Sequence, residues 1–107
     1  MIVRVWHGRV APQNEKAYIQ HLTQHLFPAF RTIDGFLGGL LLRETRADGV
    51  AFMVVTRWAS MEAIRKLAGA DVIRAVVEPA AQEILIEYDR NVKHYELVAD
   101  ISGAGHL

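Results

Sequence analysis

Two runs of sequence decide the fold: Leu37-Gly38-Gly39-Leu40-Leu41-Leu42-Arg43-Glu44-Thr45 and Val50-Ala51-Phe52-Met53-Val54-Val55-Thr56-Arg57-Trp58, joined by Arg46-Ala47-Asp48-Gly49. Each run is short and rich in aliphatic, β-branched or aromatic side chains, and turn residues bound both. Asp48-Gly49 supplies the positive φ angles that tight turns need, so the segment predicts a β-hairpin. Both runs carry apolar side chains at positions of both parities. Leu41, Phe52 and Val54 have such neighbours in Leu40, Met53 and Val55. A sheet covered by helices on one face only would keep its other face polar. This one does not, so a second surface is expected to cover it.

Outward from the hairpin, Ile2 to Val10 reads as a first strand, with Ile2, Arg4, Trp6, Gly8 and Val10 on one side and Val3, Val5, His7 and Arg9 on the other. Tyr18, Leu22, Leu26, Ala29 and Ile33 recur at helical spacing. Pro28 inside that pattern predicts a kink or an end near Phe27. Ser60 caps a second helix over Met61 to Ala68, and Gly69 stops it. Asp71 is placed to cap another short helix, Val72 to Val77. Residues 82–89 read equally as extended chain or helical turn. Asn91 to Val98 is the last strand. The order β-α-β-β-α-β predicts an α+β, ferredoxin-like antiparallel sheet with its helices on one face. Two copies packed sheet to sheet would close it into an α/β barrel, hence an expected homodimer. The alternative is a monomer with a segment such as residues 82–89 folded over the second face.

The chain has 107 residues, enough for one domain, taken as 1–98 with a tail over 99–107. Hydrophobic residues are 51%, and 12 basic residues balance 12 acidic ones. That balance argues against a nucleic-acid partner. Without cysteine there is no thiolate metal site and no thiol catalysis, in keeping with a cytoplasmic location. No apolar run is long enough for a membrane span.

Several segments resemble the antibiotic biosynthesis monooxygenase-like domains of the dimeric α/β-barrel superfamily. These are Val5-Trp6-His7-Gly8-Arg9-Val10, Asp34-Gly35-Phe36, Thr56-Arg57-Trp58-Ala59-Ser60-Met61-Glu62-Ala63-Ile64, Leu67-Ala68-Gly69-Ala70-Asp71-Val72 and Val92-Lys93-His94-Tyr95-Glu96-Leu97. The resemblance spans residues 2–98 in order. It implies a homodimer with a pocket between helices and sheet in each subunit. Known members include cofactor-free oxygenases of aromatic polyketides and quinols, and haem-degrading enzymes. The haem-degrading pattern has a polar amide in the first strand, where this chain has His7 or Gly8. It has a late helical histidine where this chain has Val76-Val77. Only Trp58 carries over.

The resemblance implies a cofactor-independent monooxygenase for a small phenol, quinol or polyketide-like molecule. Its candidate proton acceptors are His7 and His94, since an imidazole titrates close to neutral pH. Trp6, Tyr18, Trp58 and Tyr95 are candidate pocket walls. His94 and Tyr95 are adjacent in a strand, so at most one of them faces the helix-side pocket. His21 and His25 lie four apart on the first helix without a third ligand nearby, so no metal site is expected and no cofactor is called for. The alternatives are a non-catalytic dimer that binds a small hydrophobic ligand or serves a structural role, or isomerase or lyase chemistry on the same fold.

Overall fold

The computed structural model describes residues 1–101 and 103. Its core is an antiparallel sheet in which β1 (Ile2–Val10) is central. On one side β1 pairs with β3 (Gly49–Trp58), which pairs in turn with β2 (Phe36–Arg46). On its other side it meets two short strands in sequence. These are β4 (Leu85–Tyr88) against its C-terminal half and β5 (Lys93–Glu96) against its N-terminal half. Together they fill the place of a fourth strand, which gives the ferredoxin-like order. The expected last strand, Asn91 to Val98, is therefore shorter, and half of the ambiguous 82–89 segment is sheet edge. That segment does not fold over the second face.

Side-chain alternation follows the register. Arg4, Trp6, Gly8 and Val10 of β1, with Val50, Phe52, Val54, Thr56 and Trp58 of β3, are buried on one face. The hairpin loop is Ala47-Asp48, with Arg46 paired to Gly49. Only Gly49 has positive φ there (129°), so the two-residue turn that needs positive φ at Asp48 is not the one used. A side chain at Gly49 would press to 2.7 Å from the Val10 carbonyl oxygen. This position therefore requires glycine twice over.

The first helical stretch consists of α1 (Glu15–His21), a π-helical turn (Leu22–Leu26) and α2 (Phe27–Arg31). Pro28 neither ends nor interrupts it. Proline lacks an amide donor and crowds the preceding turn. The wider π turn just before it takes up the misfit, and the Phe27 amide donates to the Leu22 carbonyl. Tyr18, Leu22 and Phe30 stay on the buried side. The next helix, α3 (Met61–Ala68), begins as expected, with the Ser60 hydroxyl accepting from the Ala63 amide at 3.2 Å. It stops at Gly69, whose φ is +78°.

The short helix expected over Val72 to Val77 does not form. It lies instead at α4 (Pro79–Ile84), with Pro79 in the first turn, where its missing amide does no harm. The 72–77 backbone has partners elsewhere. The Ala75 amide donates to the Arg90 carbonyl, and the Val92 amide to the Ile73 carbonyl. Arg74 bridges Asn91. With four β-branched residues in six, extended chain wins over a lone helical turn. Part of the expected tail, residues 102 and 104–107, lies outside the described residues.

Two hydrophobic clusters fill the helix side. One joins Trp6, Tyr18, Leu22, Phe52 and Val54, and the other Phe30, Trp58, Ala63 and Ile64. The opposite face carries Val3, Val5, His7, Leu40, Leu42, Met53, Val55 and Tyr95, as the pairing register requires. Leu40 is 60% exposed there and Leu42 46%. The sheet is apolar on both sides.

Candidate functional site

Between the sheet and the first helical stretch lies a cavity of about 50 Å³. One water needs roughly 10–15 Å³. Arg4, Trp6, Val54 and Thr56 form its floor. Tyr18, His21, Leu22, Leu26 and Phe30 form its roof, and Leu67, residues 76–78, Ala81 and Val92 close its sides. Val76 and Glu78 are exposed and mark its mouth.

The sequence builds this space by leaving bulk out at one point. Gly8 follows Trp6 on the same face, and a Cβ there would lie 2.4 Å from the far edge of the Trp6 ring. The indole therefore lies flat over Gly8. Its Nε1 donates to the Asp89 carbonyl at 2.8 Å, which fixes the ring as a wall.

Arg4 is 5% exposed, an unusual place for a guanidinium. Its Nη1 donates to the Val72 carbonyl at 2.6 Å and to His94 Nε2 at 2.9 Å, and its Nη2 donates to the Arg74 carbonyl at 3.0 Å. Those carbonyls draw the 72–74 segment against the sheet. Burial lowers the Arg4 pKa to about 10, so the group stays a cation at neutral pH. Tyr18 is 1% exposed, and burial pushes its phenol above its ordinary value, so it stays neutral.

His94 pairs directly with Arg4 in the β1–β5 register and lies behind it, away from the cavity wall. A guanidinium can only donate, so His94 Nε2 accepts and the ring proton sits on Nδ1. Burial first, and the Arg4 charge second, hold its pKa below the ordinary histidine value. His94 is a neutral ring whose lone pair is already engaged.

His7 is on the other face of the sheet, half exposed, with its Nδ1 2.9 Å from Asp89 Oδ2. Tyr95 shares that face and is 52% exposed. Trp58 is fully buried in the second cluster, its Nε1 donating to Thr56 Oγ1 at 2.9 Å. Of the six residues singled out from sequence, the structure brings Trp6 and Tyr18 to the cavity wall. It sets His94 and Trp58 one layer behind, and His7 and Tyr95 on the opposite side. Sequence reasoning passed over Arg4 and Thr56, and it read His21 only as half of a weak metal pair. The signal for Arg4 was present: a charge in mid-strand at the same parity as Trp6 and Val10. His21 and His25 have ring centroids 6.0 Å apart, and among the described residues no group of three metal-ligating side chains forms.

The antibiotic biosynthesis monooxygenase family model matches residues 1–79. The chain belongs to that family. Among solved structures it resembles a Bacillus cereus protein provisionally assigned to the antibiotic biosynthesis monooxygenases (16% identity, 95% of this chain and 97% of that one, TM-score 0.68). It also resembles the Streptomyces coelicolor ActVA-Orf6 monooxygenase, solved with nanaomycin D (20% identity, 96% and 92% coverage, TM-score 0.63). A third is a variant of MhuD, the haem degrader of Mycobacterium tuberculosis, holding two manganese protoporphyrins per active site (27% identity, 96% and 100% coverage, TM-score 0.65). No curated protein matches the chain.

Haem fits this family member poorly. Val76 and Val77 line one wall, and the one imidazole among the described lining residues is His21, on the opposite roof. Valine offers a metal no donor atom.

Proposed function

We propose that this protein is a homodimeric, cofactor-independent monooxygenase acting on a small phenol or hydroquinone. The observation that carries the reading is the cavity itself: an apolar chamber with aromatic walls, Trp6 and Tyr18, and, among the described residues, one imidazole, His21, on its roof. His21 takes the place given to His7 and His94 from sequence, because neither of those touches the chamber. The substrate O–H passes its proton to His21, and the electron-rich anion reduces dioxygen directly. A hydroquinone becomes a hydroxyquinone, with one oxygen atom entering the ring and the other leaving as water. The walls exclude water and hold the anion against dioxygen. The apolar second face of the sheet supports the homodimer, since each fully buried aliphatic side chain contributes about 1.5–3 kcal/mol.

The test is oxygen uptake with substituted hydroquinones, using protein stripped of metal and flavin, with labelled dioxygen followed into product. Turnover should persist after stripping. His21→Ala should lower kcat about 100-fold or more, in the range of general-base removal, and His7→Ala should leave it near wild type. Tight binding without oxygen uptake would replace the enzyme reading with a ligand-binding one.

A further inference from the structure

The cavity is apolar except for a few groups, and two of these have unused donors. A guanidinium carries five N–H bonds. Arg4 spends three, on two carbonyls and His94. Nε–H and one Nη2–H have no acceptor among the described residues. The Tyr18 hydroxyl likewise has no partner among the hydrogen bonds of the described residues, although the residue is 1% exposed. Yet no sealed side-chain nitrogen or oxygen among the described residues lacks a partner. Arg4 Nε and the Tyr18 hydroxyl, which have no partner, are therefore not sealed, and the open space both residues line is the cavity.

Arg4 also forms no ion pair among the described residues. A buried cation is normally matched by a carboxylate, because desolvation without a counter-charge is expensive. Here neutral carbonyls and a neutral imidazole surround it. The acid on the cavity wall, Glu78, is exposed at the mouth. Thr56 does not compete for an incoming anion, since its hydroxyl donates to the Arg4 carbonyl at 3.5 Å while its Oγ1 accepts from Trp58. On a guanidinium, Nε and Nη2 share the edge that meets an oxyanion with two parallel N–H bonds.

We infer that Arg4 and Tyr18 form an oxyanion seat in the cavity floor and roof, and that the ligand is a small aromatic acid or phenol bound as its anion. The inference rests on the cavity being the aromatic site proposed above. His94 acts here as a positioning residue: its lone pair holds Nη1, which leaves Nε–H to face the ligand. The ligand supplies the missing negative charge.

The experiment compares matched probes on the intact protein. Benzoate is titrated against benzamide, its neutral near-isostere, following methyl NMR signals of Leu22 and Val54 to locate the probe. In a second arm, 4-nitrophenol reports its own ionisation by visible absorbance. Benzoate should bind at least tenfold tighter than benzamide, and the preference should vanish in Arg4→Gln. Bound 4-nitrophenol should ionise at lower pH than free. If the carboxylate arm alone shows the preference, the ligand is an aromatic acid; if the phenol arm alone, a phenolate. Equal binding of benzoate and benzamide in the cavity, with no change in nitrophenol ionisation, overturns the oxyanion seat and leaves the aromatic cavity standing. No shift of the cavity methyls with any probe overturns both. The wild-type ratios decide the matter even if Arg4→Gln loosens the 72–74 segment.

Discussion

Gly8→Ala puts the description of the cavity wall at risk with a single methyl group. The new Cβ would lie 2.4 Å from Trp6 Cη2 and 2.9 Å from both Trp6 Cζ3 and Leu85 Cδ2. Ordinary contact begins at 3.4 Å, so the ring edge must retreat by about 1 Å, an overpacking change of a kind that costs about 1–3 kcal/mol. Gly8 has no positive φ, so backbone strain adds nothing, and the loss of glycine entropy in the unfolded chain returns about 0.4–1 kcal/mol. The net destabilisation is about 1–2 kcal/mol, or a fall in Tm of about 4–16 °C for a domain of this size. The ring is tethered to the Asp89 carbonyl and backed by Leu85, so the space left to it is the cavity. Binding should therefore weaken by more than the stability loss alone would give. Thermal melts with tryptophan fluorescence, and titration with the best-binding hydroquinone, measure both effects. Gly69→Ala is the control. Its φ of +78° strains an alanine, but nothing lies within 4 Å. It should lose about 1–2 kcal/mol and bind normally. A Gly8→Ala protein that melts at or above wild type with unchanged affinity would show that the indole does not cover Gly8.

Light scattering should give wild-type protein twice the 12.0 kDa chain mass, and Leu40→Glu with Leu42→Glu should return it to one chain, because charges would face the apolar surface. His94 has a depressed pKa in the folded state, so its contribution is fully present above the ordinary histidine value and is lost as pH falls through the folded one. Urea midpoints should accordingly drop between pH 7 and pH 5 in wild type, and less so in His94→Gln. Thr56→Val removes the acceptor of the fully buried Trp58 indole N–H, and urea unfolding should show a loss of about 1–3 kcal/mol with the cavity's ligand preference retained.

Most of the scaffold is readable because its signals are local. The hairpin, the first strand and the Ser60-to-Gly69 helix each carry their own start, period and stop. The segments that misread are those whose backbone partners are distant in sequence. Residues 72–77 look like a capped helical turn until residues 90–92 and the Arg4 side chain claim their amides and carbonyls. The break between β4 and β5 is equally non-local. Asp89 sits there, joined to the His7 amide and ring through its carboxylate and to the Trp6 indole through its carbonyl. Pro28 misleads for another reason: its remedy, one wider turn, lies in residues 22–26 and leaves no composition signal.

The site is harder to read than the scaffold, for a reason that alternation makes plain. A strand's sequence says which residues share a face, but not which face meets the helices. His7 and Trp6 are neighbours in β1, and both suit a pocket chemically. The buried partners of β3 settle it, with Val54 opposite Trp6 and half-buried Met53 opposite His7. Once Trp6 is inside, Arg4 must be inside too, two residues back on the same strand. Its charge then becomes the informative feature. A helix-facing position filled for packing alone would take an aliphatic residue, as Val10 does at the other end of the same row. A guanidinium kept there, with its carboxylate partner absent from the described residues, is a cost in stability that packing does not explain, and a ligand bearing the opposite charge would offset it.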